Sequence, residues 1–227
     1  KGLFTQGMVC HETYKDKNNN WLSPDEVIAD DQKNYHLKSD PNSVVTVGPS
    51  ESMSKSKKNT VDPEKIIEIY GADAVRLFIL SDSPPEKDIQ WSENGMSSAY
   101  KFIQKFWLLN NQVLETIKKN KKSSKNEIEI FTNQSINKIN LALEKFRYNV
   151  IVAVFHEIYS FFKKILDESK NYENLEDNFK KILTVMSPVT PHIVSECLEK
   201  LNNKDSLKWP EVKLEYLKSD KILVVIQ

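Results

Sequence analysis

Apolar and polar positions divide this 227-residue chain into two regimes. Before about Ser97, short apolar runs alternate with polar stretches and turn residues. Beyond it, apolar residues recur at steps of three and four, the spacing of an amphipathic helix. Leu3 to Cys10 alternate loosely and predict a strand ending near Gly7-Met8-Val9. Tyr14 to Asp40 is rich in Asn, Asp and Lys, with Trp21 and Leu22 as its strong apolar anchors, and reads as an exposed insertion with a few short strands. Val44 to Val47 is a brief β-branched run, broken at Gly48-Pro49. Asp62 with Pro63 behind it is a helix start, and Gly71 suits the helix stop. A second short helix carries Ala74, Leu77 and Phe78 until Ser83-Pro84-Pro85 ends it at an expected domain boundary.

The helical half has five apolar stripes. The first is Phe102, Phe106, Leu109, Val113 and Ile117. A second spans about Glu127 to Phe146, with Ile128, Phe131, Ile136, Ile139 and Leu143 inward. The third follows Asn149, carrying Ile151, Val154, Phe155, Ile158, Phe162 and Ile165. Leu175 to Met186 and Val189 to Leu201 supply the last two, split at Ser187-Pro188. Helices joined by short polar turns predict an antiparallel bundle. The apolar run after Asp220 predicts a strand whose partner lies elsewhere, and both ends of the chain read as cut from a longer protein.

Composition narrows the function classes. Lys+Arg and Asp+Glu both total 32, so global charge gives no support for a nucleic-acid partner. Arg76 and Arg147 are the only arginines, which makes bidentate phosphate clamps scarce. Cys10 and Cys197 fit neither a metal motif nor a disulfide framework and point to a reducing compartment. No apolar run approaches the length of a membrane span. His11, His36, His156 and His192 are scattered without zinc-ligand spacing, and no phosphate-binding glycine loop is present. Trp91, Trp107 and Trp209 are expected as core anchors, Asp73 and Arg76 as an ion pair within one helical turn, and the Lys118–Lys125 tract as a solvated loop.

Candidate chemistry concentrates in Ser52-Met53-Ser54-Lys55-Ser56-Lys57. Two ammonium groups and two hydroxyls in a mobile loop can neutralise and hydrogen-bond a polyphosphate. Lysine-serine runs also occur in solvated linkers, so the following residues matter. Residues 52–56 resemble the Lys-Met-Ser-Lys-Ser signature of class I aminoacyl-tRNA synthetases, with Ser52 in place of the first lysine. The downstream DPEKIIEIYGADAVRLFIL and IQWSENGM resemble the leucyl branch of that class.

The resemblance implies a mostly α fold: an anticodon-binding-type antiparallel helix bundle preceded by a small α/β remnant of the catalytic Rossmann-like domain. The implied divisions are 1–13 (catalytic strand), 14–46 (leucine-specific-type insertion), 47–84 (signature loop and stem-contact module), 85–219 (bundle) and 220–227 (first strand of a further domain). It implies ligase chemistry in which leucine attacks the α-phosphate of ATP, accompanied by Mg2+, and the leucyl group then passes to tRNA(Leu). Lys55 is the implied catalytic residue, meeting charge on the departing pyrophosphate. Met53, Ser54 and Ser56 would contact ATP beside it. Gly7-Met8-Val9 resembles the strand end where the family's backbone pairs with adenine, so Met8 and Val9 join the ATP-binding set; an ordinary core strand fits the same residues. At Ser52, either Lys57 or Lys58 compensates for the missing charge or the position contributes little. A His-x-Gly-His motif, the leucine pocket and an editing domain are not in this sequence, so the chain alone is expected to be inactive. A monomer in the cytoplasm is the expected state. The sister class I enzymes and a non-catalytic RNA-binding helical scaffold are the alternatives; the 14–46 insertion and IQWSENGM favour leucine, and the intact loop disfavours the scaffold.

Overall fold

The computed structural model describes residues 5–30, 32, 34–118, 126–168, 172–202 and 208–217. The chain forms two compact units, residues 1–71 with 82–98, and residues 72–81 with 99–227.

The first unit is built on β1 (Val9–Lys15), which pairs along its length with antiparallel β6 (Thr46–Ser52). Its other edge is shared by β2 (Trp21–Leu22), antiparallel, and β7 (Ile89–Gln90), parallel. The intervening polar segment folds as the small sheet β3 (Val27–Ala29), β4 (Tyr35–Leu37) and β5 (Asp40–Val44). Tyr14, Leu22, Val27 and Val45 form a small core.

Two strand expectations change. β1 starts at Val9, where the sequence predicts a strand ending, because the residues before it are tied sideways: Gly7 donates its amide to Pro85 O at 2.8 Å, and Met8 to Asp88 Oδ1 at 2.8 Å. Leu3 lies outside the described residues. β6 runs through Gly48-Pro49 instead of breaking there. The register slips opposite, between His11 and Thr13, and the Thr13 hydroxyl donates to Pro49 O at 3.2 Å. Proline is tolerated at such a bulge, and glycine is needed because a Cβ on Gly48 would sit 2.5 Å from Thr13 Oγ1.

α1 (Pro63–Tyr70) is capped by Asp62, whose carboxylate accepts the Glu64 amide at 3.0 Å, and ends at Gly71 with φ 79°. α2 (Ala72–Ser81) belongs to the second unit, whereas residues 82–98 return to the first. The chain therefore crosses between units at three points, not once at Ser83-Pro84-Pro85. The reason is in α2 itself, whose buried Ala74, Leu77 and Phe78 pack with α5 and α7.

The second unit is a helix bundle of α3 (Glu93–Ile117, whose first turns lie in the first unit), α4 (Glu127–Glu144), α5 (Tyr148–Asp167), α6 (Leu175–Met186) and α7 (Pro191–Lys200). Phe106, Phe155, Phe162 and Phe179 are fully buried at its centre. The Phe106 and Phe179 rings stack 6.0 Å apart and Phe162 meets Phe179 edge-on at 5.3 Å. Burying each such ring contributes about 2–3 kcal/mol. Trp91, Trp107 and Trp209 are not core anchors. Each is partly exposed; the Lys200 ammonium sits 4.0 Å over the Trp107 ring, and the Trp209 indole donates to Asn140 Oδ1 at 3.0 Å. The expected 220–227 strand and residues 119–125 of the lysine tract lie outside the described residues; Lys118 is exposed.

Asp73 and Arg76 do not pair with each other. The Asp73 carboxylate accepts the Ile193 amide at 2.7 Å, and its other oxygen lies 2.9 Å from His192 Nδ1. Arg76 donates to Pro188 O at 2.6 Å and Val189 O at 3.0 Å. The carbonyls belong to the turn that follows α6, and the amides are among those the start of α7 leaves unsatisfied, so each charge meets its complement.

Candidate active-site loop and the family it belongs to

The signature segment leaves β6 at Ser52, which pairs in register with Cys10 of β1. One residue on, the Met53 amide donates to Val9 O at 3.0 Å. The two sequence-predicted ATP elements, Met8-Val9 and Met53–Ser56, are thus neighbours along one ladder. Met8 is 56% exposed, consistent with a side chain outside the core. A Cβ on Gly7 would collide with Lys87 O, so the close approach this glycine permits is to the 85–88 backbone.

Lys55 to Lys57 form one 3₁₀ turn rather than an unstructured loop. Ser54 caps it, its hydroxyl accepting the Lys57 amide at 3.4 Å and lying 3.2 Å from Ser56 Oγ. Lys58 closes the turn in the left-handed region, φ 54°. The anchor is Asn59, fully buried, which sequence reasoning missed. Its Oδ1 accepts the Ser54 amide at 2.8 Å, and its Nδ2 donates to His11 O at 3.2 Å and Glu51 O at 3.1 Å. One side chain thereby ties the turn to both long strands. An asparagine after a lysine run carries no periodic signal, and its tie to β1 is to His11, 48 residues away.

The lysines of the turn are not equivalent. The Lys57 ammonium is held by the Glu51 carboxylate. Lys55 is exposed; its carbonyl accepts the Lys58 amide at 3.3 Å, while its ammonium has no hydrogen-bond or ion-pair partner among the described residues. A cavity of about 610 Å³ in the first unit is lined by His11, Tyr14, Tyr35, Trp91 and Glu93; Lys55 and Met8 are not part of it. Burial and the neighbouring Glu12 carboxylate, to which the Tyr14 hydroxyl donates at 3.0 Å, push the Tyr14 phenol above its ordinary range.

Comparison with known proteins finds similar families and a similar fold. A family model described as tRNA synthetases class I (I, L, M and V) matches residues 41–92, which contain the turn. A second, the anticodon-binding domain of tRNA ligase, matches residues 125–227. A leucine--tRNA ligase of Bartonella henselae is 39% identical over 92% of this chain and 26% of its own length. One of Rickettsia canadensis is 37% identical over 100% of this chain and 27% of its own. The chain therefore spans about a quarter of the length of the curated relatives it matches. The ternary agnB2 LeuRS-tRNA-LeuAMS complex of Agrobacterium radiobacter K84 contains a chain with the same fold, with TM-score 0.65 and 20% identity over 75% of this chain and 23% of that one. Over most of its residues the chain is thus similar to leucine--tRNA ligases, with one segment matching the class I tRNA synthetase model and another the tRNA-ligase anticodon-binding model.

Proposed function

We propose that this chain supplies a leucine--tRNA ligase with the loop that grips ATP and the helical bundle that supports tRNA(Leu). The ligase joins leucine to ATP as leucyl-adenylate, with Mg2+ accompanying the nucleotide, and then transfers leucine to the tRNA, as a cytoplasmic monomer. One observation carries the reading: Lys55 stands exposed on a turn fixed by the buried Asn59, while its neighbour Lys57 is committed to Glu51.

A cation held next to the leaving pyrophosphate meets more charge in the transition state than in the ground state and lowers the barrier. Fixing the turn beforehand removes the entropy of ordering it during the reaction. Ser54 and Ser56 orient the turn, and the Met53 amide on Val9 O sets it beside the Met8-Val9 edge that takes the adenine. With Lys57 engaged, Lys58 is the group that stands in for the lysine replaced by Ser52. Residues 14–46, with their separate three-stranded sheet, are the leucine-specific-type insertion.

The test is Lys55→Ala in the complete enzyme, read by ATP–pyrophosphate exchange. Loss of about tenfold or more with little change in tRNA affinity is expected. Exchange near the parental rate would remove Lys55 from catalysis.

A further inference from the structure

The turn between α4 and α5 is built against local preference. Phe146 donates its amide to Leu143 O at 3.1 Å and Arg147 donates to Ala142 O at 2.9 Å, the bond pair of a Schellman cap. Its left-handed position is held by Phe146, φ 52°. Glycine is the usual occupant, since a Cβ there crowds the following carbonyl. The strained residue presents a ring that is 44% exposed and lies edge-on to Tyr148, centroids 6.3 Å apart. Strain kept at a surface position points to use of the side chain.

A shallow groove of about 350 Å³ lies beside this corner, lined by Lys138, Leu141, Lys145, Arg147, Val150 and Glu157 among others. Its one carboxylate, Glu157, is matched by Lys138 at 2.7 Å. Lys145 and Arg147 have no ion-pair partner among the described residues. Both arginines of the chain are exposed, but Arg76 is committed to the carbonyls of the α6–α7 turn, whereas Arg147 lines this groove.

We propose that the Lys145–Tyr148 corner is a contact site for the sugar-phosphate backbone of RNA. Lys145 and Arg147 meet phosphate oxygens, and the Phe146 ring packs on a ribose or an unstacked base. Cations alternating with exposed aromatic rings are the chemistry of nucleic-acid contact; an acidic protein segment would use the cations but not the ring. The site rests on the reading that tRNA is the chain's partner.

The experiment follows binding of a fluorescently labelled tRNA(Leu) transcript to the full 227-residue chain by anisotropy, across a salt series. Lys145→Ala with Arg147→Ala is expected to weaken binding about tenfold near 0.1 M KCl and to lower the log–log salt slope by about 2, one for each phosphate contact. Phe146→Gly is expected to weaken binding several-fold while the melting temperature holds or rises. Lys101→Ala with Lys105→Ala, the same charge change on exposed lysines of α3, is expected to leave affinity within about twofold. Parental affinity and slope in the Lys145/Arg147 variant would overturn the site while tRNA binding by the chain stands. No binding by the parental chain would overturn both, and tighter binding of polyglutamate than of RNA would make the corner a protein contact instead.

Discussion

Asp73 near the start of α2 and Ile193 at the start of α7 are joined by a 2.7 Å bond from the Ile193 amide to the Asp73 carboxylate, across 120 residues of sequence. Asp73 is buried, and Pro191 occupies the first position of α7, so the carboxylate serves as a cap donated by another helix. Asp73→Ala leaves buried amides without a partner. It is expected to cost about 2–3 kcal/mol in urea denaturation, more than Arg76→Ala, because Arg76 is itself exposed and a carbonyl short of one bond costs less than a buried unpaired amide. A cost under about 0.5 kcal/mol would show that α7 finds another cap.

Asn59 makes the parallel prediction for the first unit. Asn59→Ala removes three hydrogen bonds from a fully buried position, at an expected cost of about 2–3 kcal/mol. Its more telling effect is local. Hydrogen exchange at the amides of residues 54–58 should accelerate well beyond the change in global stability, because the turn loses its tie to β1 and β6. Uniform acceleration across the unit would contradict an anchoring role.

The segment 208–217 is docked on α4 through a titratable contact. Lys213 donates to Glu129 Oε1 at 2.7 Å, its amide donates to Asn133 Oδ1 at 2.8 Å, and Asn174 donates to Glu129 Oε2 at 3.1 Å. The Lys213 bond is the main cause holding the Glu129 carboxyl below its ordinary value of 4.5. A carboxyl lowered by folding stabilises fully above the ordinary value and loses that contribution as pH falls through the lower, folded value. Acidification below about pH 4.5 should therefore release this segment, visible as a change in Trp209 fluorescence. Glu129→Gln should remove that acid dependence while the parental chain keeps it.

Cys197 is fully buried in α7, and burial pushes its thiol up to about 12. The thiolate is the reactive form, so alkylating reagents at neutral pH should leave it untouched in the folded chain and modify it on unfolding. Mass-mapped labelling of native protein at Cys197 would contradict this.

The bundle was legible because helical spacing is local information. The stripes through Phe106, Ile136, Phe155 and Phe162 place those residues in the core, and each side chain is fully buried. The signature turn was legible as composition, but its shape was not. Nothing between Ser52 and Lys58 distinguishes Lys57, paired with Glu51, from the exposed Lys55. Asp73 and Arg76, one turn apart, read as a local pair because spacing says nothing of a third helix offering both better partners. Buried polar residues such as Asn59 and Asn178 break the apolar pattern and give no sign of what satisfies them.

By itself, then, the order of residues determined which segments become helices, which faces they bury, and where a cationic turn with a family signature lies. Those properties follow from side-chain spacing and backbone preference within a few residues. Only the tertiary structure decided which lysine is left exposed, which asparagine holds the turn, and that the charges of α2 belong to the α6–α7 turn. The lysine's choice turns on Glu51, six residues back on a paired strand, and the others reach partners as far as 48 and 120 residues away; each is made by which surfaces come together and which polar groups burial then forces to pair.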